Sequence, residues 1–417
     1  MQETETTIEQ SARNAEAALE SDAAAAVEIA ADPAPAAVQT EDAAEADTNA
    51  ATVKERRKLA EKTFASKVTL RTKILIALVL VAVAVISLFL GHYGMSPAET
   101  VGAVGTYIPK LLTYLGYCIQ DPSLFFDPNF SISMTSEERV LFLIRLPRVI
   151  VVVLCGAALA VAGASYQGMF KNPLTSPDLL GASAGASLGA CIALLLSLSG
   201  EFVQLFAFIG GMVAVGMAVW LNKMVDYDPT LGLVLAGILV STLFQSGMSL
   251  VKLMADSNDK LPEITFWLMG SFASVNVQDI LVFIPMVVGF IILLTQSWKL
   301  NVLSFGDEEA RAMGVNTSRT RLLVIFASTM ITSSSVAVAG IIGWIGLVIP
   351  HLARAVVGPN YRVLLPASMF VGGAYLLVVD DLARLLAAVE IPIGILTAIL
   401  GVPFFVYIFK RNMKGWR

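Results

Sequence analysis

RLPRVIVVVLCGAALAVAGASYQGMFKNPLTSPDLLGASAGASLGA, residues 145–190, holds two apolar runs rich in Gly, Ala and Ser. A polar loop from Lys171 to Pro177 joins them. Small residues at helical spacing let helix backbones approach closely, which is how helices associate in lipid. Pro147 and Pro173 fit poorly in a helix interior and so mark the ends of segments. The pattern predicts two membrane-spanning helices and a turn, with Arg145 and Arg148 at the entrance.

The rest of the chain has the same character. Of its 417 residues 56% are hydrophobic and 15% charged, and the mean hydropathy is +0.74. A soluble domain carries about a quarter charged residues. Repeated apolar runs of about 18 residues or more therefore predict an all-α polytopic membrane protein. Ten transmembrane helices are expected, at 74–93, 148–166, 179–198, 203–222, 230–254, 279–298, 320–340, 343–356, 363–386 and 393–409. The eighth is short, ends in PHLAR, and reads as a broken helix.

Charge sets the expected topology. Residues 1–52 form an acidic, Ala-rich tail, and the first 50 contain no Trp, Tyr or Phe. Such a segment buries too little apolar surface to offset its ordering entropy and is expected to be disordered. No charged-then-apolar leader opens it, so it reads as retained. The juxtamembrane segment 53–73 carries eight Lys and Arg and places the N-terminus in the cytoplasm. That basic patch also suits anionic lipid. Residues 74–410 form the ten-helix domain, and 411–417 return the C-terminus to the cytoplasm. On this topology 21 of the 28 Lys and Arg lie inside and 7 outside. The outer segment 94–147 is expected to be an irregular lid with one amphipathic helix. In the other long outer segment, 255–278, ITFWLMGSF reads as a short interfacial helix.

Chemistry of its own is scarce. Cys118, Cys155 and Cys191 lack metal-ligand spacing, and two histidines are too few for a His-based site. No phosphate-binding GxxxxGK[ST] loop and no HExxH, CxxC or GxSxG motif occurs. No catalytic residue and no metal site is predicted. Within the spans the deepest acids are Asp380 and Asp381, whose neighbour Arg384 can pair with them at i,i+4 and i,i+3. An ion-coupled secondary transporter would need more carboxylates, set deeper, and internal repeats. The chain reads as a pathway without an engine.

One cytoplasmic loop, 299–319, looks built to dock. Gly306 and Asp307 can start a short helix with Asp307, Glu308 and Glu309 at its positive end, and Gly314 can close it. Ala310 and Met313 give it an apolar side. A solvated connector with one helical turn is the plainer alternative.

From Ile74 to Lys410 the chain resembles the FecCD-type permeases, membrane subunits of ABC importers for iron–siderophore complexes, haem and vitamin B12. The resemblance rests on ten motifs in order: RLPR (145–148), GAALAVAGASYQGMFKNPL (156–174), SPDLLGASAGASLGA (176–190), LAG (235–237), WLMGS (267–271), GDEEARAMGV (306–315), GIIGWIGLVIPHLAR (340–354), YRVLLP (361–366), DDLAR (380–384) and EIPIGILTAILGVPFFVYI (390–408). The N-terminal tail and the long segment 94–144 depart from the family pattern.

The resemblance implies a type II ABC importer permease fold in the bacterial inner membrane. It also implies a second permease subunit, identical or not, and two cytoplasmic ATPase subunits that use the ATP and Mg. No cofactor is expected on this chain. An extracytoplasmic binding protein would deliver an iron chelate, with vitamin B12 or haem as the alternative cargo. By the same resemblance Arg145, Arg148 and Arg384 dock the binding protein, although local acids such as Glu137 and Asp381 are alternative partners. Gly306, Asp307, Glu308, Ala310, Arg311 and Gly314 correspond to the helix that couples to the ATPase. Asn172, Leu174 and Thr230 correspond to the cytoplasmic gate, and Asn172 also suits a plain turn former.

Overall fold

A computed structural model of the chain describes residues 68–91, 93–120, 132–224, 229–276, 279 and 283–412. The expected tail, most of the basic segment and residues 413–417 lie outside these. Every described element is helical: α1 Leu70–Phe89, α2 Pro97–Gln120, α3 Ser136–Arg139, α4 Leu146–Met169, α5 Ala182–Leu195, α6 Gly200–Met224 and α7 Pro229–Met254. Then follow α8 Lys260–Met269, α9 Phe283–Leu303, α10 Asp307–Ala312, α11 Thr317–Ala339, α12 Ile345–Val357, α13 Tyr361–Leu385 and α14 Ile393–Asn412.

Seven segments are long and apolar enough to cross a membrane: α1, the continuous run Ser136–Met169, α6, α7, α9, α11 and α13. Three apolar helices are shorter, Ala182–Leu195, Ile345–Val357 and Ile393–Val406. These occupy the third, eighth and tenth positions of the expected ten. The eighth is as short as its sequence suggested. Trp344 precedes it at φ +71°, a left-handed backbone that an indole tolerates poorly, and its ring packs against Phe405. The segment before α4 holds α2 and α3, and ITFWLMGSF falls largely within α8.

Local chemistry fixes the helix starts. Thr69 accepts from the Thr72 amide at α1, Asn316 from Arg319 at α11, and Asn360 from Arg362 at α13. Thr135 and Glu138 form a reciprocal capping box at α3. From there a π-helical stretch, Val140–Arg145, feeds into α4. Such widened turns re-aim the side chains that follow.

Helices α4 and α11 are about four-fifths buried, α13 about three-fifths, and α1 hardly at all. Packed against α4 are α13, α11, α12 and α9, and α5 packs against α6 and α7. The Gly- and Ala-rich face of α4 makes this possible. A Cβ on Gly163 would collide with the backbone of Gly346 on α12. The small residues thus act as predicted, as contact points between backbones.

Helix direction defines two ends of the bundle. One holds the start of α4 and the ends of α1 and α13. The other holds the end of α4, the start of α13 and α10.

Candidate functional site

At the first end, two arginines, Arg145 and Arg384, meet the C-terminus of α1 and its following residues, and a third, Arg148, lies close by. Arg145 donates to the Leu88 and Tyr93 carbonyls, both at 2.8 Å. Arg384 donates to Ser87 Oγ at 3.0 Å and to the Leu90 carbonyl at 3.4 Å. Cations suit this position because the last carbonyls of a helix lack intrahelical partners and carry partial negative charge.

Arg148 does something different. Its Nη2 and Nε donate to Asp380 at 2.8 and 3.1 Å, and its Nη1 and Nη2 donate to Glu390 at 2.9 and 2.8 Å. One guanidinium therefore forks onto two carboxylates, the strongest geometry open to it. Arg384 pairs with Asp380 at 3.2 Å and also with Asp381, which accepts from Ser87 Oγ at 2.7 Å. The three arginines are 4–7% exposed, Asp380 is fully buried, and the Glu390 side chain is 29% exposed. The helical pairs expected of Arg384 are both present. Sequence alone does not single out Glu390 or Ser87. The signal for Glu390 was an acid opening the quoted EIPIG motif.

At the second end, α10 carries Asp307, Glu308, Glu309 and Arg311, with Glu308, Glu309 and Arg311 exposed. Ala310 and Met313 turn inward and are buried against the chain's own core. The apolar side noted in sequence is thus already covered, and the charged side faces out. Gly306 sits at φ +146°, where a Cβ would collide with the Glu309 carboxylate. Gly314, at φ +77°, closes the helix as expected.

Asp307 is the junction. It accepts from Arg321 on α11 at 2.8 Å and lies 3.8 Å from the Lys171 ammonium. Lys171 opens the NPL turn, where Asn172 Oδ1 accepts from the Leu174 amide at 2.9 Å. Asn172 and Leu174 are exposed, and Thr230 sits, partly exposed, in the first turn of α7. The structure therefore links the α10 loop to the NPL turn through Lys171 and Asp307. Neither Lys171 nor Arg321 was picked out from sequence, though Lys171 stands directly beside the NPL motif.

Beyond the turn, Asp178 accepts from Ser183 Oγ. Burial pushes its carboxyl above the usual carboxylate range, and the Ser183 bond opposes this. Among the described residues no group of three or more His, Cys, Asp or Glu could hold a metal ion. Cys155 and Cys191 are buried free thiols.

Comparison with known proteins agrees with this layout. The chain is 40% identical over 344 residues to the molybdate import system permease of Haemophilus influenzae, covering 82% of this chain and 96% of that one. It is 39% identical to the cobalamin import permease of Halobacterium salinarum, over 64% of this chain and 72% of that one. With the hemin transport permease of Yersinia pestis it shares 37% identity, over 65% and 83%. A solved metal-chelate type ABC transporter in an inward-facing conformation superposes with a TM-score of 0.69 at 37% identity, covering 81% of this chain and 98% of that one. These relatives are permease subunits of ABC transporters and not enzymes. Residues 78–411 match the model of the FecCD transport family, and with helices laid out along that whole span, the chain belongs to this family.

Proposed function

We propose that this chain is the translocating subunit of an ATP-driven importer for an iron chelate such as a ferric siderophore. The observation that carries the transport reading is the junction at Asp307. It ties an exposed charged helix to the NPL turn, so a push on α10 reaches the turn through a charge contact. The iron-chelate reading is supported by likeness to a metal-chelate type transporter and to the Fe(3+)-citrate import permease of Bacillus subtilis.

In this reading α5, α12 and α14 complete ten spans in a bacterial inner membrane, with both termini cytoplasmic. A second permease subunit completes the path. Two ATPase subunits grip Gly306, Asp307, Glu308, Arg311 and Gly314, while Ala310 anchors the helix from below. Asn172, Leu174 and Thr230 form the gate. An extracytoplasmic binding protein sits on the opposite end, which Arg145, Arg148 and Arg384, buried and paired within the chain, brace from beneath instead of contacting the partner directly. ATP and Mg are used by the partner subunits, and no cofactor binds this chain.

Molybdate is the second cargo reading, favoured by near full-length likeness to the Haemophilus permease. Cobalamin or haem would follow the other relatives. Uptake by cells carrying the permease and its partners decides among them. Radio-iron siderophore accumulation that is lost on deletion supports the first reading. Unchanged iron uptake with lost molybdate uptake overturns it.

A further inference from the structure

Between α1, the end of α12 and the start of α13 lies a cavity of about 180 Å³. Its polar corner is made by Lys73 and Arg362, and Ile76, Pro366, Ala367 and Phe370 form its floor and walls. We propose that this cavity binds one anionic phospholipid, with the headgroup phosphate on Lys73 and Arg362 and an acyl chain against Ile76, Pro366 and Phe370.

Three observations converge on that ligand. Lys73 is the fourth residue of α1 and Arg362 the second of α13. Both cations therefore stand at helix N-termini, whose partial positive charge adds to theirs and favours a phosphate. The remaining surface is apolar, which suits a hydrocarbon chain and not a soluble anion. The wall belongs to α1, the least buried of the candidate spans, and to Phe370, which is 40% exposed, so the cavity opens on a face that lipid would cover. Basic pockets between transmembrane helices recognise acidic headgroups in this way. On the orientation proposed above, the site lies in the inner leaflet.

The test uses the full-length purified chain, equilibrated with phosphatidylglycerol and phosphatidylcholine, washed in detergent, and weighed intact by native mass spectrometry. Wild type should retain one phosphatidylglycerol in preference to phosphatidylcholine. With each cation contributing about fivefold, the preference should be about twenty-five-fold. Lys73→Gln should lower it about fivefold, and Lys73→Gln/Arg362→Gln should abolish it. Ala367→Phe fills the cavity with both charges in place and should release the bound lipid. Equal retention of the two lipids by wild type would overturn the proposal, and that comparison needs no variant to fold. So would displacement of phosphatidylglycerol by millimolar inorganic phosphate with no effect of Ala367→Phe, which would mark a simple anion site.

Discussion

The two ends of the bundle handle charge in opposite ways. At the Arg148 end, three arginines and two aspartates are nearly sealed from solvent, and each guanidinium is engaged by carboxylates or carbonyls. At the Asp307 end, Glu308, Glu309 and Arg311 are exposed, while Asp307 pairs with Arg321 and Lys171. A buried charge left unpaired is far more costly than an exposed one. The first end therefore works as a brace across α1, α4, α13 and Glu390. The second leaves its charges exposed on the surface.

Mutations can break that contrast. The largest effect is expected from Asp380→Ala, which strips a carboxylate from both Arg148 and Arg384 inside the bundle. A loss of about 3–5 kcal/mol is expected, read as a large drop in the melting temperature of the purified protein. Gly306→Val should come next. A side chain there meets Glu309 and a backbone that disfavours it, at about 1–3 kcal/mol. Because the strain is local to α10, transport and its stimulation of ATPase activity should fall while the overall melting point moves little. Glu390→Gln should cost about 1–2 kcal/mol, since Arg148 keeps Asp380 and the lost partner is partly solvated. Lys171→Ala should be smallest in stability, below about 1 kcal/mol, because the pair is long and solvent-exposed. If the junction transmits motion, that same change should still slow uptake at unchanged melting temperature. A Glu390→Gln loss as large as that of Asp380→Ala would erase the distinction between sealed and exposed charge.

Much of this was legible in the sequence, for a physical reason. The Gly- and Ala-rich face of α4 announces close helix contact because only small residues permit it, and Gly163 against Gly346 is that contact. Arg384 with Asp380 and Asp381 was readable because helical spacing alone brings them together. The short α10, between Gly306 and Gly314, was readable from turn chemistry. What stayed hidden depends on which distant helices meet. Glu390 is 242 residues from Arg148, and no local pattern places them side by side. The inward turn of Ala310 and Met313 was hidden for the same reason. An apolar side chain on a surface loop reads equally as a docking face or as an anchor until its neighbours are known.

The central claim is that the chain moves its cargo with energy supplied by separate ATPase subunits. The direct measurement is uptake of radio-iron ferric siderophore into vesicles containing the purified permease, with the binding protein supplied. Accumulation should require the ATPase subunits and ATP, and a proton or sodium gradient alone should give none. Accumulation driven by either gradient without nucleotide would contradict the claim.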